Sequence, residues 1–376
     1  MKSCRICENL FFQEPLIRYK NMPALAQNLP DSESLANDHG ITIEVYQCSG
    51  CGLVQLSNEP VPYYREVIRA AAVSEKMKRF RDRQFRQFVE RNILKGKKVI
   101  EIGCGSGEYL SIMQNAGAAA YGIEYGAKAV STCLEKGLKV TRGFIEESSY
   151  KIADAPFDAF FILNFLEHLP FPNMILRGIY NNLRDGAVGL VEVPNFNMIL
   201  NKGLFSEFTS DHLFYFTRDT LSILLAINGF EVIKLSEVWE EYIISAVVKK
   251  KGMISAGLFN DRCNKIKKDL NEYLARFCDK RVAVWGAGHQ ALAIIAITNI
   301  AERIKYVIDS APFKQGRYTP ATHIPIVAPS VLDSDPPDAI IVMGASYSDE
   351  IASRLTKSNI NISILRDFGL EDYNGH

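Results

Sequence analysis

Net charge is the first thing this sequence lacks. Lys and Arg number 43 and Asp and Glu also number 43 over 376 residues, so no long-range field draws the chain to nucleic acid or an anionic membrane. The first 60 residues carry no dense Lys/Arg stripe of the kind that tracks phosphates. Long apolar runs are missing too. A stretch such as Ala291 to Ile297 is far too short to cross a bilayer. No apolar segment follows the basic start M-K-S-C-R, which leads to the expectation of no signal peptide, no membrane partner and a cytoplasmic protein. Histidine is scarce, at six, so the position of each one is informative. The eight cysteines do not form the pattern of a secreted disulfide framework. What remains is an ordinary globular composition, 47% hydrophobic and 23% charged, with length for two or three domains.

The cysteines are grouped. Cys4 and Cys7 form C-R-I-C, and Cys48 and Cys51 form C-S-G-C. Two such pairs supply four thiolates, enough for a closed tetrahedral zinc site, and soft thiolates hold zinc without redox activity. Two redox pairs or a catalytic zinc are the alternatives, although no adjacent histidine or carboxylate suggests an open coordination position. The first 56 or so residues then read as a metal-stapled module too small to rely on its apolar core. Cys104, Cys133, Cys263 and Cys278 lack such pairing and are expected to be buried thiols.

The middle of the chain follows an α/β rhythm. Residues 64–94 lack Gly and Pro and read as one or two helices. K-K-V-I-E-I-G-C-G-S-G-E-Y-L (97–110) reads as a strand ending at Glu101, then a turn through Gly103, Gly105 and Gly107 into a helix. Such a turn lets a ligand approach the backbone and a helix N-terminus. It could serve NAD, FAD or S-adenosylmethionine (SAM). The acidic residue ahead of the turn, with Glu124 ending the next strand, favours SAM, since a carboxylate at that second position can accept ribose hydroxyls. Residues 155–166 read as an apolar strand. Asn164 near its C-terminal end is a further cofactor candidate, and Glu167 and His168 follow. A helix ending in Gly is expected over 175–186 and a strand over 187–194. Thr217 is the expected N-cap of a helix reaching Leu225, with a hairpin-like pair beyond it.

Asp211 and His212, in T-S-D-H-L-F-Y-F-T, then fall on a loop above the sheet edge, where reacting groups usually sit. An imidazole there can be neutral near pH 7 and act as a general base. A loop histidine making a single hydrogen bond is the plainer alternative. Beyond an amphipathic helix over 257–277, R-V-A-V-W-G-A-G-H-Q-A starts a second strand, glycine turn and helix. With Ala291 in place of the third glycine, it is a weak dinucleotide fingerprint. Lys314 and Arg317, beside a glycine in K-Q-G-R, are cations able to meet phosphates.

Together, C-R-I-C, C-S-G-C-G-L-V-Q, E-I-G-C-G-S-G, W-G-A-G, D-S-A-P-F-K-Q-G-R and I-P-I resemble the SAM-dependent sugar C-methyltransferases acting on nucleotide-linked 4-keto-deoxysugars. The resemblance covers nearly the whole chain. It implies an α/β fold with a class I SAM-methyltransferase Rossmann-like domain (61–255) between a zinc module (1–60) and a C-terminal Rossmann-like domain (256–376) that binds the substrate nucleotide. SAM is the implied cofactor and Zn2+ a structural ion on Cys4, Cys7, Cys48 and Cys51. Glu101, Gly103, Gly105, Gly107, Glu124 and Asn164 would hold SAM. His212 would take the C3 proton beside the 4-keto group, with Asp211 orienting it or contacting substrate. His168 and a tyrosine, Tyr63 or Tyr64, would donate hydrogen bonds to the enolate oxygen. Thr209, Lys314 and Arg317 would contact a small, nucleotide-linked substrate. The family's Glu is Asp211 here, and a tyrosine often found two positions earlier is Thr209. O- or N-methylation of a related acceptor, and non-catalytic nucleotide-sugar binding, are the alternatives. A monomer or homodimer is expected.

Overall fold

The computed structural model describes residues 3–27, 29–66, 74–355, 360–367 and 369–373. The chain divides into two compact units, Met1–Gly252 and Met253–His376.

The first unit begins with strands β1 (Ile17–Met22), β2 (Ile41–Gln47) and β3 (Val54–Leu56). Helix α1 (Glu75–Arg91) follows, capped by the Ser74 side chain, which accepts the Met77 N–H. The α/β run is β4 (Lys98–Ile102), α2 (Glu108–Asn115), β5 (Ala119–Glu124), α3 (Ala127–Glu135), β6 (Lys139–Arg142), β7 (Phe157–Leu163), α4 (Pro172–Asn181) and β8 (Leu183–Pro194). After it come α5 (Phe196–Asn201), β9 (Phe214–Tyr215), α6 (Arg218–Ile227), β10 (Phe230–Val238) and β11 (Ile243–Lys250). The expected helix over 64–94 is shorter. Tyr64–Glu66 form a single 3-10 turn, residues 67–73 lie outside the described residues, and α1 starts at Glu75. The helix expected to end at Gly186 stops at Asn181, capped by Asn182, whose side-chain amide returns to the Gly178 carbonyl. Gly186 lies inside β8 instead.

The seven-stranded sheet has the order β10-β11-β8-β7-β4-β5-β6. Strands β4 to β8 run parallel to one another, and β11 runs antiparallel to both β8 and β10. Parallel strands covered on both faces need continuous apolar runs, and β7 shows why: F-D-A-F-F-I-L is buried at every position but Asp158. The order reverses between β4 and β7, which opens a crevice above their C-terminal ends.

The N-terminal strands form a separate antiparallel sheet, β1-β2-β3-β9. Its last strand comes from far along the chain: Val54 pairs with Tyr215 and Gln55 with Phe214. Ile43, Val45 and Leu56 share one apolar cluster with Ile162, Val191 and Phe216, so the cysteine module and the large sheet have a common core.

A buried ion pair ties α1 to β8. The Arg81 side chain is 1% exposed and donates to the fully buried Glu192 carboxylate, which also accepts from Gln84. Removing one member of such a pair leaves an uncompensated charge. Arg81→Met should therefore lower stability by about 3–5 kcal/mol, read as a shifted urea midpoint, and Glu192→Leu added to it should recover part of the loss.

The second unit comprises α7 (Gly257–Leu274), β12 (Val282–Trp285), α8 (His289–Thr298), β13 (Ile304–Ile308), β14 (Ile326–Val327), α9 (Val331–Ser334), β15 (Ala339–Val342), α10 (Ser348–Leu355), β16 (Asn361–Arg366) and β17 (Gly369–Asp372). Its sheet order is β14-β13-β12-β15-β16-β17, parallel except for β17. This is the Rossmann-like pattern expected of the C-terminal region. Cys104 and Cys133 are buried as expected, whereas Cys263 is half-buried and Cys278 exposed. Among the described residues no helix is long and apolar enough to cross a membrane.

Candidate active site

The glycine turn sits where β4 meets α2. Gly103, Gly105 and Gly107 all have positive φ, at +71°, +53° and +79°. A Cβ on Gly103 would stand 2.6 Å from the Phe165 ring, and one on Gly107 2.4 Å from Leu138. At Gly105 it would meet nothing within 4 Å. The carboxylate of Glu124 accepts the N–H groups of Gly105 at 2.9 Å and Gly126 at 2.8 Å. It thus fixes the turn and keeps further lone pairs for a ribose. Glu101 is buried at the end of β4. Asn164 follows β7 with φ +49°, a conformation asparagine tolerates better than most residues, and its N–H donates to the Glu192 carbonyl. A pocket beside the turn is lined by Ile102, Gly103, Glu124, Tyr125, Phe144 and Arg65. This open cradle with a carboxylate at its rim fits SAM. Gly105→Ala should weaken SAM binding at least tenfold by calorimetry, because the methyl group intrudes where ligand and backbone meet. It should cost only about 1–2 kcal/mol of stability for the left-handed backbone.

Arg65 was invisible to sequence reasoning. Its guanidinium lies 5.4–5.5 Å from the ring centres of Tyr64, Tyr125 and Phe144, a cation–π stack at the pocket wall. Tyr64 lines an adjoining pocket with Arg65, Phe144, Leu169 and Phe171.

Tyr63 belongs to the other cluster. Its hydroxyl donates to Asp211 Oδ1 at 2.8 Å and accepts the N–H groups of Ala26 and Gln27. Burial, then the neighbouring carboxylate, raises its pKa. Asp211 is buried, and its carboxylate also meets the Ala26 N–H at 3.3 Å. Among the described residues its side-chain partners are thus Tyr63, Ala26 and Ser210. The expected orientation of His212 by this carboxylate is not seen. Thr209 closes the turn instead: its carbonyl accepts the His212 N–H, and its hydroxyl lies 3.5 Å from the Asp211 N–H.

His168 and His212 meet with ring centres 4.8 Å apart at 70°. His168 Nδ1 lies 2.8 Å from the Asp211 carbonyl oxygen. A carbonyl only accepts, so Nδ1 carries the proton and Nε2 of the neutral ring is an acceptor. Burial holds His168 below its ordinary pKa, which favours that neutral form. In that form Nε2 accepts, and donation to an enolate oxygen would require the protonated ring. Burial, with His168 beside it, pushes His212 down to about 3. Sequence reasoning gave Glu167 no role, yet its carboxylate is buried in this cluster. Oε1 lies 3.8 Å from His168 Nε2, and burial pushes the group up to about 8.

The four expected zinc ligands converge. Cys4 Sγ lies 3.7 Å from Cys51 Sγ and Cys7 Sγ 3.4 Å from Cys48 Sγ, and all four fall within 4.8 Å of one another. Tetrahedral zinc with bonds of about 2.3 Å needs edges of about 3.8 Å. Backbone N–H groups of Ile6, Gly50 and Cys51 point at the sulfurs, the polarity that stabilises thiolates. The cluster fits a structural zinc.

In the second unit, Lys314 Nζ pairs with Asp309 Oδ2 at 2.8 Å, and Asp309 also accepts the Ala287 N–H of the glycine turn. Arg317 is exposed and donates to the Phe313 carbonyl. Lys314 is thus engaged with the acidic group that follows β13.

Residues 77–235 match the family described as a methyltransferase domain, and residues 251–361 match the C-methyltransferase C-terminal domain. The chain is 22% identical over 385 residues to the C-methyltransferase NovU of Streptomyces niveus, covering 93% of this chain and 90% of that protein. It is 36% identical over 99 residues to a ubiquinone biosynthesis O-methyltransferase of Stutzerimonas stutzeri (strain A1501), covering 25% of this chain and 43% of that one. Among solved structures, an S-adenosylmethionine-dependent methyltransferase from Clostridium acetobutylicum ATCC 824 aligns at 14% identity with a TM-score of 0.40, over 50% of this chain and 96% of that one. The strand order, the glycine turn braced by Glu124 and the methyltransferase-domain match make the core a class I SAM-dependent methyltransferase fold.

Proposed function

We propose that this SAM-dependent C-methyltransferase acts on C3 of a nucleotide-linked 4-keto-deoxysugar through an enolate. The observation that carries the reading is an acid–base cluster drawn from three distant segments, with Glu167, His168 and Asp211 buried and Tyr63 and His212 half-buried beside them, joined by hydrogen bonds and ring contact. A C–H bond is not nucleophilic, so carbon methylation requires a base and an adjacent carbonyl. An oxygen or nitrogen acceptor needs far less.

Neutral His212 takes the C3 proton, and the C–H electron pair passes into the enolate. Burial makes its lone imidazolium unfavourable, but the enolate forming beside it supplies the opposite charge in a site of low dielectric. His168, with Nε2 as an acceptor, stands beside the imidazolium so formed. Tyr63 turns its hydroxyl from Asp211 to the 4-oxygen, where it stabilises developing negative charge. When bound at the glycine turn, SAM supplies a sulfonium methyl as the electrophile. Within the second unit, Lys314, paired with Asp309, and the exposed Arg317 are the cations proposed to meet phosphates.

The test is incubation with nucleotide-linked 4-keto-deoxysugars in deuterated water, with and without methyl-labelled SAM. One carbon-bound hydrogen should exchange without SAM, and His212→Ala should abolish both exchange and methyl incorporation. Labelled product without exchange would favour an O- or N-acceptor. SAM binding with no methyl transfer to any keto-sugar would remove the sugar.

A further inference from the structure

Glu167, His168 and His212 form a second group of metal-ligating atoms, unlike the four thiols in chemistry. One carboxylate oxygen and one nitrogen from each ring all lie within 4.8 Å of one another. His168 presents Nε2 as a lone pair because Nδ1 donates to the Asp211 carbonyl. A backbone carbonyl holding the far nitrogen is the usual support of a metal-bound imidazole. A separate observation concerns Glu167. Its side chain is nearly wholly buried, and Oε2 has no hydrogen-bond partner, a costly state for a buried polar atom. His212 is only half-buried, so the group opens to solvent on that side.

We propose that these three side chains bind a divalent transition metal ion of the Zn2+, Co2+ or Ni2+ class, and that bound metal reversibly blocks catalysis. Two imidazoles and a carboxylate suit such ions and leave a coordination position open. The cation meets the Glu167 carboxylate, whose Oε1 lies 3.8 Å from His168 Nε2, and takes one nitrogen lone pair from each ring. Small side-chain rotations bring the donors to bonding distance. While the ion is bound, the lone pair with which His212 would take a proton is engaged. The binding claim stands on this geometry alone; the inhibition rests on the enolate reading above.

Cobalt separates the two metal sites by colour. Titrated into the metal-free full chain, Co2+ should bind twice. One event should show the intense near-ultraviolet thiolate charge transfer of Cys4, Cys7, Cys48 and Cys51. The other should show only weaker visible bands. Glu167→Gln and, independently, His212→Ala should each remove the second event and leave the first. In wild type, filling the second site should suppress methyl transfer at least tenfold, and brief chelation that leaves the thiolate site loaded should restore it. A single thiolate event, or a second event that survives both variants, would overturn the proposal. Loss of the second event in both variants, together with failure of every keto-sugar to react, would leave the metal site standing and remove the enolate reading.

Discussion

His212→Asn should lower turnover by roughly two to four orders of magnitude, the usual contribution of a positioned general base. Its SAM affinity should match wild type, since the glycine turn and Glu124 are formed by β4, α2 and β5 rather than by the 209–212 loop. Asparagine keeps the polarity and approximate size of the ring but has no basic nitrogen. Calorimetry with SAM alone and single-turnover methyl transfer separate the two effects. The pH dependence should change as well. His212 in the folded chain titrates near 3, against about 6.5 when unfolded, so the unfolded chain binds the proton first as the pH falls. Stability is then fully present above pH 6.5 and lost through the window from 6.5 down toward 3. His212→Asn should flatten part of that decline in urea unfolding measured across pH. An unchanged turnover in this variant would transfer the base role to another group.

Stripping the thiolate metal should also cost most of the activity, although those cysteines do not line the cofactor pocket. Structural zinc in small modules contributes about 10–16 kcal/mol of apparent binding energy at neutral pH, and here it adds to the apolar core that the module shares with the large sheet. Strand β3 follows Cys51 and pairs with β9, two residues beyond His212. Tyr63, which holds Asp211, lies on the short connection leaving the module. Loosening the module therefore frees both sides of the acid–base cluster. Cys48→Ser, or exhaustive chelation, should raise amide exchange over residues 4–56 and 210–216 and lower methyl transfer about a hundredfold, the scale of a 1 Å misplacement. SAM binding should persist. Wild-type exchange in Cys48→Ser would mean that Ile43, Val45 and Leu56 hold the sheet unaided.

The readable parts of the sequence were those fixed by local chemistry. C-x-x-C spacing, the β4 glycine turn, the Thr217 cap and the hairpin after Gly229 each need only a few neighbouring residues, and all appear in the structure. Long-range pairing was not readable. Nothing near residues 214–215 announces a strand completing a sheet begun at 17, because two residues carry no periodicity. The choice between Tyr63 and Tyr64 depended on which ring faces Asp211, and adjacent positions on a loop do not reveal that. Arg65 resembles any surface arginine until three aromatic rings gather round it. The tautomer of His168 depended on a carbonyl 43 residues away, beyond any motif. Glu167 looked like one acidic residue among many because burial, not identity, makes it unusual.

The pairing of β3 with β9 also sets a timetable for synthesis. Val54 leaves the ribosome roughly 160 residues before its partner Tyr215, a delay on the order of ten seconds at ordinary elongation rates. Through that interval the first sheet has an open edge, the sort of surface that recruits wrong strands. All four thiols emerge within the first 51 residues, so the knuckle can close on its ion long before β9 arrives. The metal then acts as a placeholder, keeping the nascent module folded while its last strand is still being made.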